Sequence, residues 1–347
     1  MRFITVILLF SALGLTASGC FKHAVEVRER MPDIIWPNPP EIPRIRFVNS
    51  ISAPEDLYIK EGALKRFFRF LKGSERKSLL APYGVEMDAE GRLFVVDTSN
   101  RNVHVFDSRK GDYYTFPDEA ASFTSPIDVA IDREGNIFVT DSKEAVVKVF
   151  KDHGKKYIKE LGRELLQRPT GIAVNEKTHE LLVVDTGNSE IIRYDLDGYK
   201  VKGIIGKNGS EAGMFHYPTN VFVSGDGHIF VSDSLNFRIQ IFSPDWKFLK
   251  AFGKPGDGPG YFARPRGVAV DSDGNIYVAD ALFDNVQVFD KEGRLLMDFG
   301  GSGHGYGEFW LPSGIFIDAD DRIYVSDSYN KRVQVFQYMK GDEFLRQ

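Results

Sequence analysis

The sequence has only one cysteine, Cys20, in 347 residues. No intramolecular disulfide can therefore form, and a zinc site of four thiolates is excluded. A basic excess is also missing, since 44 Lys and Arg stand against 49 Asp and Glu. Nucleic-acid binding needs basic surface to replace phosphate counterions, so we expect no nucleic-acid partner. The 33 glycines follow no three-residue period, which excludes collagen. The remaining composition, 42% hydrophobic and 27% charged, is that of a globular protein.

The N-terminus predicts export. Residues 1–19 carry a positive charge at Arg2, then a short apolar run and small residues, a pattern typical of a cleaved signal peptide. The segment ends in Ala17-Ser18-Gly19-Cys20, which resembles the bacterial lipobox. The resemblance implies acylation of the Cys20 thiol and a lipid anchor in the cell envelope. Phe21 in place of Asp implies the outer membrane, on its periplasmic or its surface side. The alternative is a plain signal peptide with a coincidental cysteine.

Two segments separate Cys20 from the main part of the chain. Residues 20–43 are rich in proline towards their end and predict an extended, lipid-attached tether. Residues 44–79 contain a candidate strand and then a short basic helix, in which Leu64, Phe67, Phe68 and Leu71 follow helical spacing. Residues 60–77 carry seven positive and two negative charges. This amphipathic helix either packs on the domain that follows or rests on an anionic membrane surface.

A six-fold repeat dominates residues 80–340. Six apolar tetrads end in an aspartate, and successive aspartates are 44, 44, 48, 47 and 47 residues apart: Asp97, Asp141, Asp185, Asp233, Asp280 and Asp327. Each copy begins with a proline and contains up to four short runs of β-branched and aromatic residues between turn residues. Four antiparallel strands in each of six copies predict an all-β, six-bladed β-propeller.

The linkers before the last three copies share one spacing, Gly-x-x-Gly-x-x-x-Gly-x-Phe, beginning at Gly206, Gly253 and Gly300. The motif Asp-x-x-Asn-x-Arg occurs at Asp233 and again at Asp327. In these features the chain resembles the NHL-repeat family. The first three copies are degenerate, and the last copy lacks a fourth strand. We expect residues 45–51 to supply that strand and close the ring, with residues 343–345 of the C-terminal tail (341–347) as the rival.

Antiparallel order places the Gly-rich linkers and the Asp-x-x-Asn corners on one face of the propeller. Aromatic and basic residues of blades four to six on this face are our candidates for partner binding, because Tyr, Trp and Arg dominate binding hot spots. The candidates are His216, Tyr217, Phe237, Arg238, Tyr261, Arg264, Arg266, His304, Tyr306, Trp310, Tyr329 and Arg332. The alternative is that these aromatics only cover the ends of blades. Asp/Gly turns make the other face acidic.

The repeated aspartates are expected to accept backbone hydrogen bonds in their own turns rather than to bind metal. The linker glycines are turn residues, since no Gly-Lys-Ser/Thr follows them. On the innermost strands, Glu86, Asp128 and Asn220 replace the small or apolar residues of other blades. These oxygen ligands are a candidate site for Ca²⁺ or another divalent ion. Propeller lactonases use a similar mixture, whereas the central histidines of the related amidating lyase are missing here.

These observations predict an exported, lipid-anchored NHL-type propeller that binds an envelope protein, a peptide or a glycan. We expect a monomer without a catalytic residue or an obligatory cofactor. One alternative is a metal-dependent hydrolase or lyase in the central channel, acting through Glu86, Asp128 and Asn220. A second alternative is a purely structural component of the envelope.

Overall fold

The computed structural model describes residues 31–59, 78–117 and 121–341. The predicted signal peptide, Cys20, the predicted basic helix within residues 60–77 and the rival strand predicted at 343–345 lie outside these ranges. The described residues from Pro32 onward form one compact unit. Within the described ranges its secondary structure consists of β-strands and short 3-10 turns. Within these ranges no helix is long and apolar enough to cross a membrane.

The strands form six antiparallel sheets, five of which are made of four consecutive strands, whereas the sixth combines the last three strands with the first two. Blade 1 contains β3 (Pro82–Met87), β4 (Leu93–Asp97), β5 (Asn102–Asp107) and β6 (Asp112–Phe116). Blade 2 contains β7 (Pro126–Ile131), β8 (Ile137–Asp141), β9 (Val146–Lys151) and β10 (Lys156–Leu161). Blade 3 contains β11 (Pro169–Asn175), β12 (Glu180–Asp185), β13 (Glu190–Asp195) and β14 (Val201–Ile205).

Blades 4 and 5 repeat this order, and blade 6 adds the two N-terminal strands to three C-terminal ones. Blade 4 contains β15 (Pro218–Val223), β16 (Ile229–Asp233), β17 (Arg238–Phe242) and β18 (Phe248–Phe252). Blade 5 contains β19 (Pro265–Val270), β20 (Ile276–Asp280), β21 (Asn285–Phe289) and β22 (Leu295–Gly300). Blade 6 contains β23 (Pro312–Ile317), β24 (Arg322–Asp327), β25 (Arg332–Tyr338), β2 (Ile45–Ile51) and β1 (Ile35–Trp36).

The first strands of the blades surround a central axis. Each contacts the first strand of the next blade, and β23 of blade 6 contacts β3 of blade 1, which closes the ring. The prediction of an all-β, six-bladed propeller is therefore confirmed. Each second strand lies between two neighbouring blades, so strands such as β4 and β20 are buried along their whole length. Burial on both faces explains why these strands are continuous apolar runs in the sequence.

The hydrophobic core is divided among the six interfaces between blades. One cluster joins blades 1 and 2 through Phe94 and Phe150, and another joins blades 5 and 6 through Phe299 and Phe336. Equivalent clusters occupy the other four interfaces. Because each fully buried Phe, Val, Leu or Ile contributes about 1.5–3 kcal/mol, the packing between blades is the main source of stability.

The ring is closed by the N-terminal strand, as predicted. β2 pairs antiparallel with β25, from Ile45 opposite Tyr338 to Ile51 opposite Val333. β1 then adds a fifth strand to the same sheet, which the sequence did not indicate. Part of the predicted tether of residues 20–43 is therefore fixed on blade 6, since the ring of Trp36 packs against the rings of Phe299 and Phe336. Pro37, which directly follows β1, is compatible with this arrangement because β1 is the edge strand of the sheet.

Candidate functional site

We call the loop between the second and third strands of a blade its corner, and the segment before its first proline its linker. Together they form the corner face. In every blade the repeated aspartate is fully buried and accepts a hydrogen bond from the amide two residues before the proline. In blade 6, for example, the amide of Trp310 donates to Asp327 Oδ1 over 2.8 Å. The predicted structural role of these aspartates is confirmed, and they fix each linker on its corner.

Hydroxyl groups connect neighbouring blades on this face. The residue after the repeated aspartate donates from its side chain to the carbonyl of the proline that begins the next blade. Four blades have this bond: Thr98 to Pro126, Thr186 to Pro218, Ser234 to Pro265 and Ser328 to Pro82, over 2.6–2.8 Å. The corner of one blade therefore lies beside the linker of the next.

The Gly-x-x-Gly linkers pack around a phenylalanine, as their role as turns requires. Phe215, Phe262 and Phe309 are fully buried and seal the ends of their interfaces. At Gly253 φ is +96°, and a Cβ would lie 2.4 Å from the Phe262 ring. Only glycine combines this φ with such a close approach of the ring.

Two of the predicted partner-binding arginines hold the linkers instead. The Arg332 side chain is buried and bonds to Asp327 over 2.8 Å and to the carbonyls of Gly305 and Glu308 over 2.6 and 2.8 Å. Arg238 repeats this arrangement in blade 4 with Asp233 and two linker carbonyls. Both guanidinium groups are therefore used within the protein, and we exclude them from the candidate surface.

Four other candidates of blades 4 and 5 contact neighbouring loops. The Tyr217 hydroxyl accepts a hydrogen bond from Arg168, and Lys254 lies 4.2 Å from the centre of the Tyr261 ring. Arg266 lies over the ring of Tyr83, 5.5 Å from its centre, at the mouth of the channel. Phe237 packs partly buried against the cluster between blades 4 and 5. His216 and Arg264 are exposed.

The remaining candidates lie on blade 6. The rings of His304 and Trp310 are 5.1 Å apart, and those of Trp310 and Tyr329 are 5.3 Å apart. His304 Nδ1 is 2.6 Å from Asn330 Oδ1. Trp310 and Tyr329 are nevertheless 43% and 58% exposed. The structure therefore brings together three of the predicted residues in one exposed aromatic group, whereas Tyr306 packs beside it on the ring of Phe47.

Comparison of equivalent corners reveals two residues that the sequence reasoning missed. The second residue after the repeated aspartate is Ser99, Lys143 and Gly187 in blades 1–3, but Leu235, Leu282 and Tyr329 in blades 4–6. Leu235 and Leu282 are 38% and 56% exposed. The repeat alignment contained this signal, but our candidates were restricted to aromatic, basic and histidine side chains. We call Leu235, Leu282, Trp310 and Tyr329 the corner arc.

The central channel holds the other predicted site. A cavity of about 190 Å³ lies on the axis, with apolar walls that include Phe222 and Phe316, and it reaches Glu86, Asp128 and Asn220. Towards the corner face the channel narrows to a space of about 10 Å³ around Asp128, Asn220 and four glycines. At one of them, Gly84, a Cβ would lie 2.3 Å from Asp128 Oδ1. The structure thus brings the three predicted residues to one cavity and nearly closes the channel beside them.

Hydrogen bonds hold two of these three residues. Asp128 accepts from the amides of Val129 and Ile172 over 3.0 and 3.2 Å, and Asn220 Nδ2 donates to it over 3.4 Å. Asn220 Oδ1 accepts from the amide of Val268 over 3.2 Å. The pair therefore connects blades 2 to 5 across the axis. Glu86 lies deeper in the cavity and accepts a hydrogen bond from the amide of its neighbour, Met87, over 3.2 Å.

Burial dominates the electrostatics of both carboxyl groups. Burial raises the pKa of Glu86 to about 8. The hydrogen bond from the Met87 amide opposes this rise, whereas the negative charges of Asp128 and Asp88 add to it. Burial also raises the pKa of Asp128 to about 7, against its two amide bonds. The oxygens of Asp128 and Asn220 already accept amide hydrogens, which is a structural role for this pair. We derive no metal chemistry from this arrangement. Across residues 31–59, 78–117 and 121–341 no group of three His, Cys, Asp or Glu is placed to hold a metal.

Comparison with protein families agrees with this geometry. A family model described as NHL repeat matches residues 166–194, and one described as a 6-bladed beta-propeller matches residues 210–283 and 270–346. The fold is therefore that of a six-bladed β-propeller, and parts of the chain match the NHL-repeat and 6-bladed-propeller models. No curated protein matches its sequence.

Solved structures include many propellers of similar fold. A structural genomics protein of unknown function from Bacteroides thetaiotaomicron is 17% identical with a TM-score of 0.59, covering 77% of this chain and 71% of its own. An auxiliary nutrient binding protein from the same organism is 14% identical with a TM-score of 0.61, covering 76% and 70%. Virginiamycin B lyase from Staphylococcus aureus is 13% identical with a TM-score of 0.54, covering 75% and 96%. At these identities the likeness shows the fold alone.

Proposed function

We propose that this protein is an exported, lipid-anchored binding scaffold of the bacterial envelope, and that its partner binds the corner face at blades 4 to 6. The lipobox-like segment at Cys20 supports the anchor and the envelope location. The fold supports a scaffold, because propellers present many loops on a rigid ring. One similar structure is described as a nutrient binding protein, which is consistent with a binding role.

The observation that carries the proposal is the exposed aromatic group of His304, Trp310 and Tyr329. Its backbone is already fixed: the Trp310 amide donates to Asp327, and the Tyr329 amide donates to the Trp310 carbonyl over 3.3 Å. A partner that contacts these rings does not have to order the loops, so little conformational entropy is lost on binding. Large aromatic side chains held in this way are typical of binding hot spots.

The alternative role, covering the ends of blades, is filled by other residues. Phe309 seals the interface between blades 5 and 6 and is fully buried. Trp310, the next residue, leaves nearly half of its surface in water. Its exposed ring adds little to the core that Phe309 already closes, so a contact outside the protein is the better explanation.

The rival function is a hydrolase or lyase in the central channel. Glu86 favours it, since a carboxyl group with a pKa near neutrality can act as a general acid or base. Against it, Asp128 and Asn220 are engaged in hydrogen bonds between blades. Metal analysis of the purified protein tests this rival, and we expect no stoichiometric divalent ion.

An affinity pull-down from solubilised envelope membranes tests the binding function. The bait is the lipidated protein, compared with a Trp310→Ala/Tyr329→Ser variant. Leu296→Ser is the matched control, because Leu296 is similarly exposed (55%) but lies on the outer strand of blade 5. We expect a stoichiometric partner with the wild type and the control and its loss with the double variant. Equal retention by all three proteins would contradict the proposed face.

A further inference from the structure

The corner arc also indicates the chemistry of the partner. Resting on the binding function proposed above, we infer that the partner is a protein segment that presents apolar side chains flanked by Asp or Glu. The six blades provide an internal comparison, because the same corner position has the same backbone environment in each of them. It is polar or small in blades 1–3 and apolar and exposed in blades 4–6.

The apolar side chains of blades 5 and 6 belong to loops that are bonded to each other. The amide of Leu311 donates to Asp284 Oδ1 over 2.7 Å, which fixes the linker of blade 6 on the corner that carries Leu282. Trp310 precedes Leu311 and contacts the ring of Tyr329. Leu282, Trp310 and Tyr329 therefore lie on adjoining loops of the corner face. Leu235 extends this group by one blade, since Ser234 bonds to the start of blade 5.

Two cationic side chains flank this surface. Arg264 and Lys331 are exposed and have no ion-pair partner in the described part of the chain. Arg238 and Arg332 on the same face, by contrast, donate hydrogen bonds to buried aspartates and to linker carbonyls within the protein. Unpaired cations beside an apolar surface attract carboxylates of a partner and set the orientation in which it binds. This charge complementarity is the reason for expecting Asp or Glu beside the apolar contacts.

The same surface is poorly suited to a glycan. A sugar would bring hydroxyl groups against Leu235 and Leu282, which offer no hydrogen-bonding group, and an unsatisfied hydroxyl costs about 1–3 kcal/mol when buried. Beside Trp310, His304 Nδ1 is already in contact with Asn330 Oδ1. Aliphatic and aromatic side chains from a protein would instead gain from burial against the arc.

A phage-displayed random peptide library is the probe. It is panned against the wild type and against the double variant Leu282→Ser/Tyr329→Ser. Serine is chosen because blade 1 has it at the equivalent corner position, Ser99. Enriched peptides should combine apolar residues with Asp or Glu. As synthetic peptides they should bind the double variant about thirtyfold more weakly than the wild type, the loss expected from removing two contacts of about 1 kcal/mol each. Arg264→Gln should also weaken binding, most clearly at low salt.

Leu296→Ser is again the control and should bind like the wild type, and matching thermal unfolding of all variants excludes misfolding. Enrichment of basic peptides, or of peptides that bind the double variant equally well, would overturn the inference. A glycan array that yields a ligand lost in Trp310→Ala, with no peptide enriched, would also overturn it while leaving the binding function intact. If peptides, glycans and the membrane pull-down all fail, the binding function itself is wrong.

Discussion

Glu86 gives the most direct test of the electrostatics of the channel. Its pKa is raised from 4.5 to about 8, mainly because burial disfavours the charged carboxylate. Between these two values the folded protein keeps a proton that the unfolded chain has lost. Stability must therefore fall as the pH rises from about 4.5 to about 8, because the folded state binds more protons than the unfolded state throughout this window.

The substitution Glu86→Gln removes this dependence, since glutamine has nearly the same shape and cannot ionise. At about 1.4 kcal/mol per pKa unit, the shift sets an upper limit of about 5 kcal/mol on the effect. Water that enters the cavity reduces it, so we expect the variant to gain about 1–3 kcal/mol on the wild type between pH 5 and pH 9. Any fixed difference in packing cancels when the two pH values are compared.

The assay is urea unfolding of both proteins at each pH, with the midpoint and the slope m fitted separately. Glu134→Gln is the control, because Glu134 is an exposed carboxyl group on the acidic face. It should keep the wild-type pH profile. If Glu86→Gln shows the same fall in stability as the wild type, Glu86 is charged in the folded protein and our description of the cavity is wrong.

Three further predictions concern the scaffold and its anchor. Gly253→Ala should destabilise the protein by about 2 kcal/mol or more, since it combines strain at positive φ with a clash against Phe262; Gly225→Ala, where a Cβ meets nothing within 4 Å, should have little effect on the urea midpoint. Trp36→Ala should cost about 2 kcal/mol by opening the aromatic cluster at the closing strand, measured in the same way, and an unchanged midpoint would mean that β1 does not stabilise the ring. Cys20→Ala should abolish incorporation of a labelled fatty acid in cells and move the protein out of the membrane fraction, whereas labelling that persists would refute the lipid anchor.

The fold was predictable because its determinants recur in the sequence. The repeated aspartates and prolines mark the end of every second strand and the start of every first strand, so six copies reinforce one interpretation. The closing strand at residues 45–51 was predictable from the missing fourth strand of the last copy. The two-residue strand Ile35–Trp36 was not, because five prolines between Pro32 and Pro43 dominate the local pattern. Its position depends on the aromatic rings of blades 5 and 6, which are distant in sequence.

The candidate site was predictable only in part. Arg332 has the residue type of a hot spot, but its role follows from linker carbonyls more than 20 residues away, at Gly305 and Glu308. Asp128 and Asn220 are 92 residues apart, and no spacing rule in the sequence indicates that they bond to each other rather than to a metal. In both cases the sequence identifies a polar group, whereas its function depends on which partners the tertiary fold brings within about 3 Å.

Residues that differ between the repeats therefore fall into two groups: buried residues that bond within the fold and exposed residues at the corners. On the innermost strands, Asp128 and Asn220 depart from glycine, and both departures are explained by bonds that connect blades. At the corners, Leu235, Leu282 and Tyr329 replace Ser99, Lys143 and Gly187, yet each remains 38–58% exposed, even though Tyr329 contacts the ring of Trp310. Polar residues occupy the same position in the same fold, so folding does not demand the change. Exposed apolar groups are unfavourable in water, and selection for a contact outside the chain is the remaining physical reason for placing them on three consecutive blades.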